Sequence, residues 1–307
     1  MQDDIPIVDA HHHLWDLKRN HYPFLSGDPA PGFFLGDYSR IRVDYLPADY
    51  RRDASDNNIV ATVHCEAEWD RNDQLGETLW LEKIAASHDM PDAVIGHAWF
   101  DTPNAEDVIA QQAARPMVRS IRSKPKTSDV PGVLAPDAPG SMDDPNWRRG
   151  LKLLQKYGLT YDLRVPPWHL AEAVEIVRLI SSTPVILNHT GFPWDRSEAG
   201  MELWRSAMTA MAAEPNTLVK LSEFGLKNAP WNYSENRAIV LETIELFGPD
   251  RCRFARNFPV AGLRLEFDSL YSAYKSMVED FSDREKLQLF RDTAAAAYRL
   301  DLANQDV

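Results

Sequence analysis

An aspartate and three histidines stand close together near the start of the chain, in the run Asp9-Ala10-His11-His12-His13. The run ends an apolar, strand-like stretch at residues 5–10. In an extended strand alternate side chains share a face, so Asp9, His11 and His13 are expected on one side and His12 on the other. Two imidazoles one residue apart can reach a single point above the strand end. Such a pair suits a divalent metal, or a pair of hydrogen-bond donors to a substrate oxygen. A further histidine, His189, ends another apolar run in PVILNHTGFP, where Gly191 and Pro193 announce a shaped loop. Asn257 closes a third run, RCRFARNFPV.

These side chains are far apart in sequence, and only a fold that gathers strand ends can bring them together. Eight short apolar runs, at 5–10, 60–65, 93–99, 117–121, 159–163, 184–188, 217–221 and 252–255, read as strands buried on both faces. Amphipathic stretches at 75–88, 104–114, 146–157, 168–180, 198–213, 234–246 and 263–280 separate or follow them. A last helix at 283–298 opens on Ser282 with Glu285 three residues on, a capping box. Strand followed by helix, eight times over, predicts an α/β fold of one kind: a single (β/α)8 TIM barrel with an extra C-terminal helix, one domain over 1–307. The sequence holds no glycine fingerprint of a dinucleotide or P-loop fold. Two segments break the rhythm, 20–46 after the first strand and 124–144 after the fourth. Loops after strand C-termini build barrel active sites, so both are expected over the active-site face.

The segments VDAHHHLWD, VRSIRSKP, YDLRVPP, VILNHTGFP, LVKLSEFG and FGPDRCRFARNFPV occur in that order along the chain. Together they resemble the amidohydrolase superfamily, specifically its amidohydrolase 2 branch, which includes fuconolactonase-like and 2-pyrone-4,6-dicarboxylate lactonase-like enzymes. The likeness covers essentially the whole chain. It implies the barrel fold and hydrolysis of a cyclic ester or related bond. It carries over His11 and His13 as the strand-one pair, His189 as the strand-six histidine, and Arg122 as the strand-four arginine that grips an acidic substrate group. Tyr161 matches a tyrosine position that faces the active site.

Asn257 departs from the family pattern, which has an aspartate there to activate the attacking water. A carboxamide has no basic site near neutral pH and gives a metal no negative charge. Zinc or manganese on His11, His13 and His189 is the cofactor the family implies. The lost aspartate tilts the expectation slightly towards a site with no metal or a weakly bound one. If a base other than residue 257 acts, Glu66 in VHCEAEW is the first candidate, with Glu68, His64 and a metal-free His189 behind it. His97 reads as a core or supporting histidine, and His21, His88 and His169 as loop or helix-surface residues.

Basic side chains gather at the later strand ends: Arg119, Arg122, Lys124, Arg164, Lys220 and Arg256. In a chain of net charge −13 they suggest a pocket for a carboxylated substrate, with Arg122 the first choice of contact, Lys220 the second and Arg164 the third. Trp15, Tyr22, Phe24, Trp99 and Trp194 could line an apolar wall. The expected function is a hydrolase opening a lactone of a sugar acid or a carboxylated pyrone or muconolactone. The alternatives are a non-oxidative decarboxylase of an aromatic or muconate acid, and a barrel impaired by Asn257 that only binds a small acid. The expected partner is a small acidic or polyhydroxylated molecule. The acidic balance argues against nucleic acid. No run is long and apolar enough for a membrane span, and the N-terminus lacks a signal-peptide pattern, so a cytoplasmic protein is expected, with a homodimer in keeping with other barrels. Two cysteines, Cys65 and Cys252, sit in strand-like runs and read as buried thiols.

Overall fold

The structure is a computed structural model that describes residues 5–29, 32–128, 130, 133 and 138–302. Eight strands, β1 (Ile7–His12), β2 (Ile59–Cys65), β3 (Ala93–Gly96), β4 (Val118–Ile121), β5 (Thr160–Leu163), β6 (Val185–Leu187), β7 (Thr217–Leu221) and β8 (Cys252–Phe254), form one parallel sheet in chain order. Past the end of β8, Asn257 N–H donates to the His11 carbonyl and His13 N–H to that of Phe258. These bonds join the last strand to the first at the mouth, so the sheet curls into the expected barrel.

Each strand is short because both faces must be buried. Val8, Ala10, Ala61, Val63, Cys65 and Ile95 point into one inner cluster, while the surrounding helices pack the outer faces. The helices begin where their caps allow. Asp144 accepts from Asn146 N–H ahead of Pro145–Tyr157, Ser197 from Gly200 N–H ahead of Glu198–Ala212, and Asn232 from Glu235 N–H ahead of Tyr233–Phe247. The C-terminal segment starts with the Ser282–Glu285 capping box, and its helix is interrupted by a π-helical turn at Gln288–Asp292 before ending at Tyr298. It closes the end opposite the mouth: Ala294, Ala297 and Tyr298 join the inner cluster, and Arg299 reaches the Arg119 carbonyl near the start of β4.

Phe24, Phe33 and Phe34 of the first irregular segment and Lys124, Pro125 and Thr127 of the second line the same cavity. Within 20–46 the chain makes two short helical turns, Pro23–Ser26 and Ser39–Ile41. Its rings pack on one another, Phe33 against Tyr38 at 4.4 Å, and on Trp15 past the end of β1, which lies 6.3 Å from Phe24. Residues 129, 131–132 and 134–137 of the second segment lie outside the described residues. Cys65 and Cys252 are free, buried thiols. Among the described residues no helix is long and apolar enough to cross a membrane.

Candidate active site

Three imidazoles converge at the mouth. The ring centroids of His11 and His13 lie 5.0 Å apart, and those of His11 and His189 4.7 Å apart. His13 and His189 line a cavity of about 1120 Å³, together with Asn257, Arg122, Lys124 and Arg164. His11 sits just below, fully buried.

Strand alternation does not hold through this stretch. Asp9 turns away from His11 and His13: its carboxylate accepts from Tyr50 Oη at 2.8 Å and from Arg256 at 3.3 Å. Arg256 is itself stacked on the outer aromatic rings of Phe267 and Tyr271. The cause is an irregularity of register between Asp9 and His12, where β1 gains a bulge against β2. A bulge adds one residue to one strand and re-aims every side chain after it. His11 and His13 thereby face the mouth, while His12 stays with Asp9 on the outer side, 4.8 Å from the Tyr50 ring.

Other strand ends hold their side chains by unusual backbone conformations. His189, Glu223 and Asn257 all have positive φ (57°, 54° and 57°), as do Thr190 and Phe192 beside the first of these. Such left-handed residues are costly unless the surroundings hold them, and they cluster at functional sites. Gly191 has φ of +66°, a conformation that costs glycine least, and a Cβ there would push aside the ends of the Leu170 and Met208 side chains.

Below the imidazoles lies a buried ion pair. Lys220 Nζ is 2.7 Å from Asp162 Oδ1, with neither side chain exposed. Asp162 also accepts from Ser120 Oγ, Asn188 Nδ2 and Tyr298 Oη. Lys220 Nζ stands 3.3 Å from His11 Nδ1. An ammonium can only donate, so His11 Nδ1 accepts and the neutral ring carries its proton on Nε2. That Nε2 has no hydrogen-bond partner among the described residues. Burial, then Lys220 and His189, hold the His11 pKa well below the usual histidine value, so the ring is neutral.

A second chain of contacts runs through Asn257. His13 Nδ1 lies 2.8 Å from the Cys65 carbonyl, which can only accept. His13 Nε2 lies 2.9 Å from Asn257 Oδ1, and Asn257 Nδ2 donates to Glu223 Oε2 at 2.5 Å. With the amide in this sense His13 carries protons on both nitrogens, and Glu223 accepts through Oε2 whether it is ionised or protonated on its other oxygen. Turning the amide over gives a neutral His13, accepting from Nδ2, and a protonated Glu223 donating to Oδ1. Burial lowers the His13 pKa to about 3, and burial raises that of Glu223 to about 7. The proton therefore rests on Glu223 up to neutral pH.

The remaining expected residues fall into place unevenly. Glu66 is buried and engaged: Arg122 Nε donates to its Oε1 at 2.6 Å, Arg71 is 2.8 Å from Oε2, and Glu68 N–H donates to Oε2. Burial pushes its pKa up, but Arg122, Arg71 and Lys124 more than offset this and hold it well below the usual carboxylate value. Arg122 reaches the cavity wall with its donors largely spoken for by Glu66 and Asn188. Arg164 lines the cavity and has no carboxylate partner among the described residues; its guanidinium lies over Phe192 at 4.9 Å. Lys220 lies under the site and not on its wall. Tyr161 does not face the site. Its neighbour Asp162 takes the inward position, so Tyr161 points outward between Phe100 and Trp147 and donates to the Ser123 carbonyl. His97 is buried, with Nδ1 3.2 Å from the Arg122 carbonyl. His169, expected on the surface, is buried: it accepts from Ser128 N–H through Nε2, and its Nδ1 lies 2.6 Å from Glu172.

Glu223, Ser222 and Asp162 were not singled out from the sequence. The signal for Glu223 was present: an acidic residue directly after a strand end, in LVKLSEFG.

The donor set can be tested against the metal that the family implies. A divalent ion needs imidazole lone pairs directed at it, and three neutral histidines suffice only where no nearby cation opposes the ion. Lys220 fixes the His11 proton on Nε2, Asn257 is neutral, and Arg122, Arg164 and Lys124 ring the cavity. Among the described residues no three histidine, cysteine or carboxylate side chains are arranged to hold an ion. These residues do not fit a catalytic zinc or manganese ion.

The geometry agrees with what the chain resembles. The amidohydrolase family model matches residues 8–300, and the chain belongs to that family. It is a hydrolase of the lactonase-containing part of the family. A protein of Sinorhizobium fredii, described as uncharacterized, is 37% identical over 97% of this chain and 99% of its own. An L-fucono-1,5-lactonase of Burkholderia multivorans is 26% identical over 95% of this chain and 96% of its own. In fold, an amidohydrolase from Burkholderia multivorans superposes with a TM-score of 0.80 at 24% identity, over 96% of this chain and 99% of that one. That crystal form holds HEPES, and a second form of the same protein, with a TM-score of 0.79, 23% identity and the same coverage, holds zinc.

Proposed function

We propose that this chain opens a lactone that carries a carboxylate. The observation that carries this reading is the convergence of His11, His13 and His189 beneath a cavity walled by Arg122, Lys124 and Arg164. The lactonase relative supports the bond class, and the cationic wall supports an acidic substrate.

In this reading the lactone carbonyl oxygen lies against the cationic wall formed by Arg122 and Lys124, whose donors stabilise the oxyanion as it develops. His11 lies beneath and does not touch the substrate; held in one tautomer by Lys220, it packs under His13 and His189 and positions them. His189 receives the proton of the attacking water. Its Nδ1 lies 3.0 Å from Ser222 Oγ; donation from Nδ1 leaves Nε2 with its lone pair. Burial, then Arg164 and Arg122, keep the ring neutral and hence able to accept. The proton then passes to the ring oxygen as the ester bond breaks, leaving a hydroxy acid or its keto tautomer. Asn257 fixes His13 and cannot itself act as base.

The test is a panel of pyrone carboxylates, muconolactones and sugar-acid lactones, followed by proton release in weakly buffered solution, with and without a chelator. Ring opening of at least one carboxylated lactone is expected, unchanged by chelation. If the folded protein turns over none of them, with or without added Zn²⁺ or Mn²⁺, the reading fails.

A further inference from the structure

The last helix closes the barrel at the end away from the mouth, and one of its side chains reaches the groups beneath the imidazoles. Leu289 and Phe290 of the π-helical turn are buried, with the Phe290 ring 4.7 Å from that of Phe254 on β8. Thr293 ties the helix down: its Oγ1 donates to the Pro249 carbonyl, and its own carbonyl accepts from Arg253 of β8 at 3.4 Å. Ala294 and Ala297 are small and let the helix lie close against the inner cluster, which Tyr298 joins fully buried. The Tyr298 hydroxyl lies 3.2 Å from each oxygen of Asp162. Its ring faces two buried cations, Lys220 Nζ at 5.4 Å and the Arg253 guanidinium at 5.3 Å. Asp162 is the junction. Its Oδ1 takes Lys220 Nζ at 2.7 Å and Asn188 Nδ2 at 2.8 Å, and its Oδ2 takes Ser120 Oγ at 2.7 Å. Burial pushes the Asp162 pKa up, but Lys220 and the bonds from Ser120 and Asn188 more than offset this, so the carboxylate is ionised.

We propose that Tyr298 is a positioning residue for the imidazole cluster: through Asp162 and Lys220 it fixes the tautomer and place of His11, on which His13 and His189 pack. Only the kinetic consequence rests on the lactonase reading. The ammonium of Lys220 is shared between Asp162 and His11 Nδ1, 3.3 Å away. Each neutral donor that the carboxylate takes spreads its charge, in a network whose bonds strengthen one another. A carboxylate so satisfied leaves Lys220 an N–H for the imidazole. With the Tyr298 hydroxyl gone, the bare charge draws the ammonium towards Asp162 and away from His11. The far end of a barrel ordinarily serves stability alone; here a chain of hydrogen bonds joins it to the mouth. A second branch runs from Asp162 through Asn188 to Arg122, but that last contact is 3.4 Å long, and Glu66 holds Arg122 besides. The effect therefore falls on the imidazoles, and on kcat more than on KM.

Tyr298→Phe keeps the ring against both cations and removes only the hydroxyl. Heteronuclear NMR of isotope-labelled histidine nitrogens reads the His11 tautomer directly and needs no turnover. The wild type should show one tautomer, with Nδ1 bare; in Tyr298→Phe the two His11 nitrogen signals should move towards each other as the second tautomer enters. For a lactone that the wild type opens, kcat should fall about fivefold, the scale of one neutral hydrogen bond, with KM unchanged. Arg299→Ala removes a contact at the same end of the barrel, to the Arg119 carbonyl, but lies off the chain of bonds; it should leave both readouts as in the wild type. Ser120→Ala takes a donor from the same carboxylate and should move the His11 signals in the same direction, and it decides the matter if Tyr298→Phe does not fold. Wild-type His11 signals and kcat in Tyr298→Phe overturn the proposal, as does an equal fall of kcat in Tyr298→Phe and Arg299→Ala. A His11 tautomer that follows Tyr298 with no lactone opened would sink the hydrolytic reading alone. Lactone opening with both readouts untouched by Tyr298→Phe would sink the positioning role alone.

Discussion

Glu223→Gln probes the proton that the site holds between His13 and Glu223. Glutamine can donate to the Asn257 amide oxygen as the protonated acid does, but it does not titrate. In the native protein the carboxyl has its pKa raised from 4.5 to about 7, by burial first, against the lowering effects of Arg264 and the Gly225 N–H. A carboxyl with a raised folded pKa binds its proton more tightly when folded. It therefore stabilises the fold fully below 4.5, and that contribution is lost as pH rises through 7. At 1.36 kcal/mol per unit over these 2.5 units, the loss is about 3 kcal/mol. Urea unfolding from pH 4.5 to 8, carried out on both proteins, gives the difference curve directly. Glu77, raised to about 8, and the buried neutral histidines also titrate, but they contribute alike to both proteins and cancel. The stability of wild type relative to the variant should fall by about 3 kcal/mol across that window. In parallel, a limb near pH 7 in the kcat/KM profile should vanish in the variant. A flat difference curve would refute the placement of the proton on Glu223, whatever the activity does.

Lys220→Met should cost about 3–5 kcal/mol in urea unfolding, because Asp162 is left buried without its counter-ion; a loss under about 1 kcal/mol would mean the pair is not formed. Asn257→Asp places a second carboxyl 2.5 Å from Glu223, where the two must share a proton. It also supplies the water-activating base that the family pattern has there, and a rise in kcat of about 10²-fold is expected, within the range of general-base catalysis. An unchanged or lower kcat would show that the amide has a role of its own. Tyr161→Phe should lower stability by about 1 kcal/mol, through the lost bond to the Ser123 carbonyl, and leave KM for any lactone substrate unchanged; a raised KM would return Tyr161 to the site.

What could be read in advance follows from which signals are local. The strands were legible because a parallel barrel buries both faces and so writes itself as apolar runs. The imidazole cluster was legible because strand ends in such a barrel share one rim. The orientation of Asp9 was not, since a bulge of one residue leaves no mark in the apolar pattern yet reverses the side chains beyond it. Tyr161 and Asp162 show the same ambiguity in milder form. Both are buried, and only the partners supplied by distant segments, Lys220 for one and Phe100 with Trp147 for the other, say which face is the inner one. Charge pairing is harder still to foresee. Arg122, Lys124 and Arg164 stand within a few residues of strand ends and look alike in sequence, but Glu66 and Glu68 claim the first two and leave the third free. Which cations are left without a carboxylate among the described residues is thus a property of the folded set as a whole: Arg164 shares that state with Lys227, which also lines the cavity.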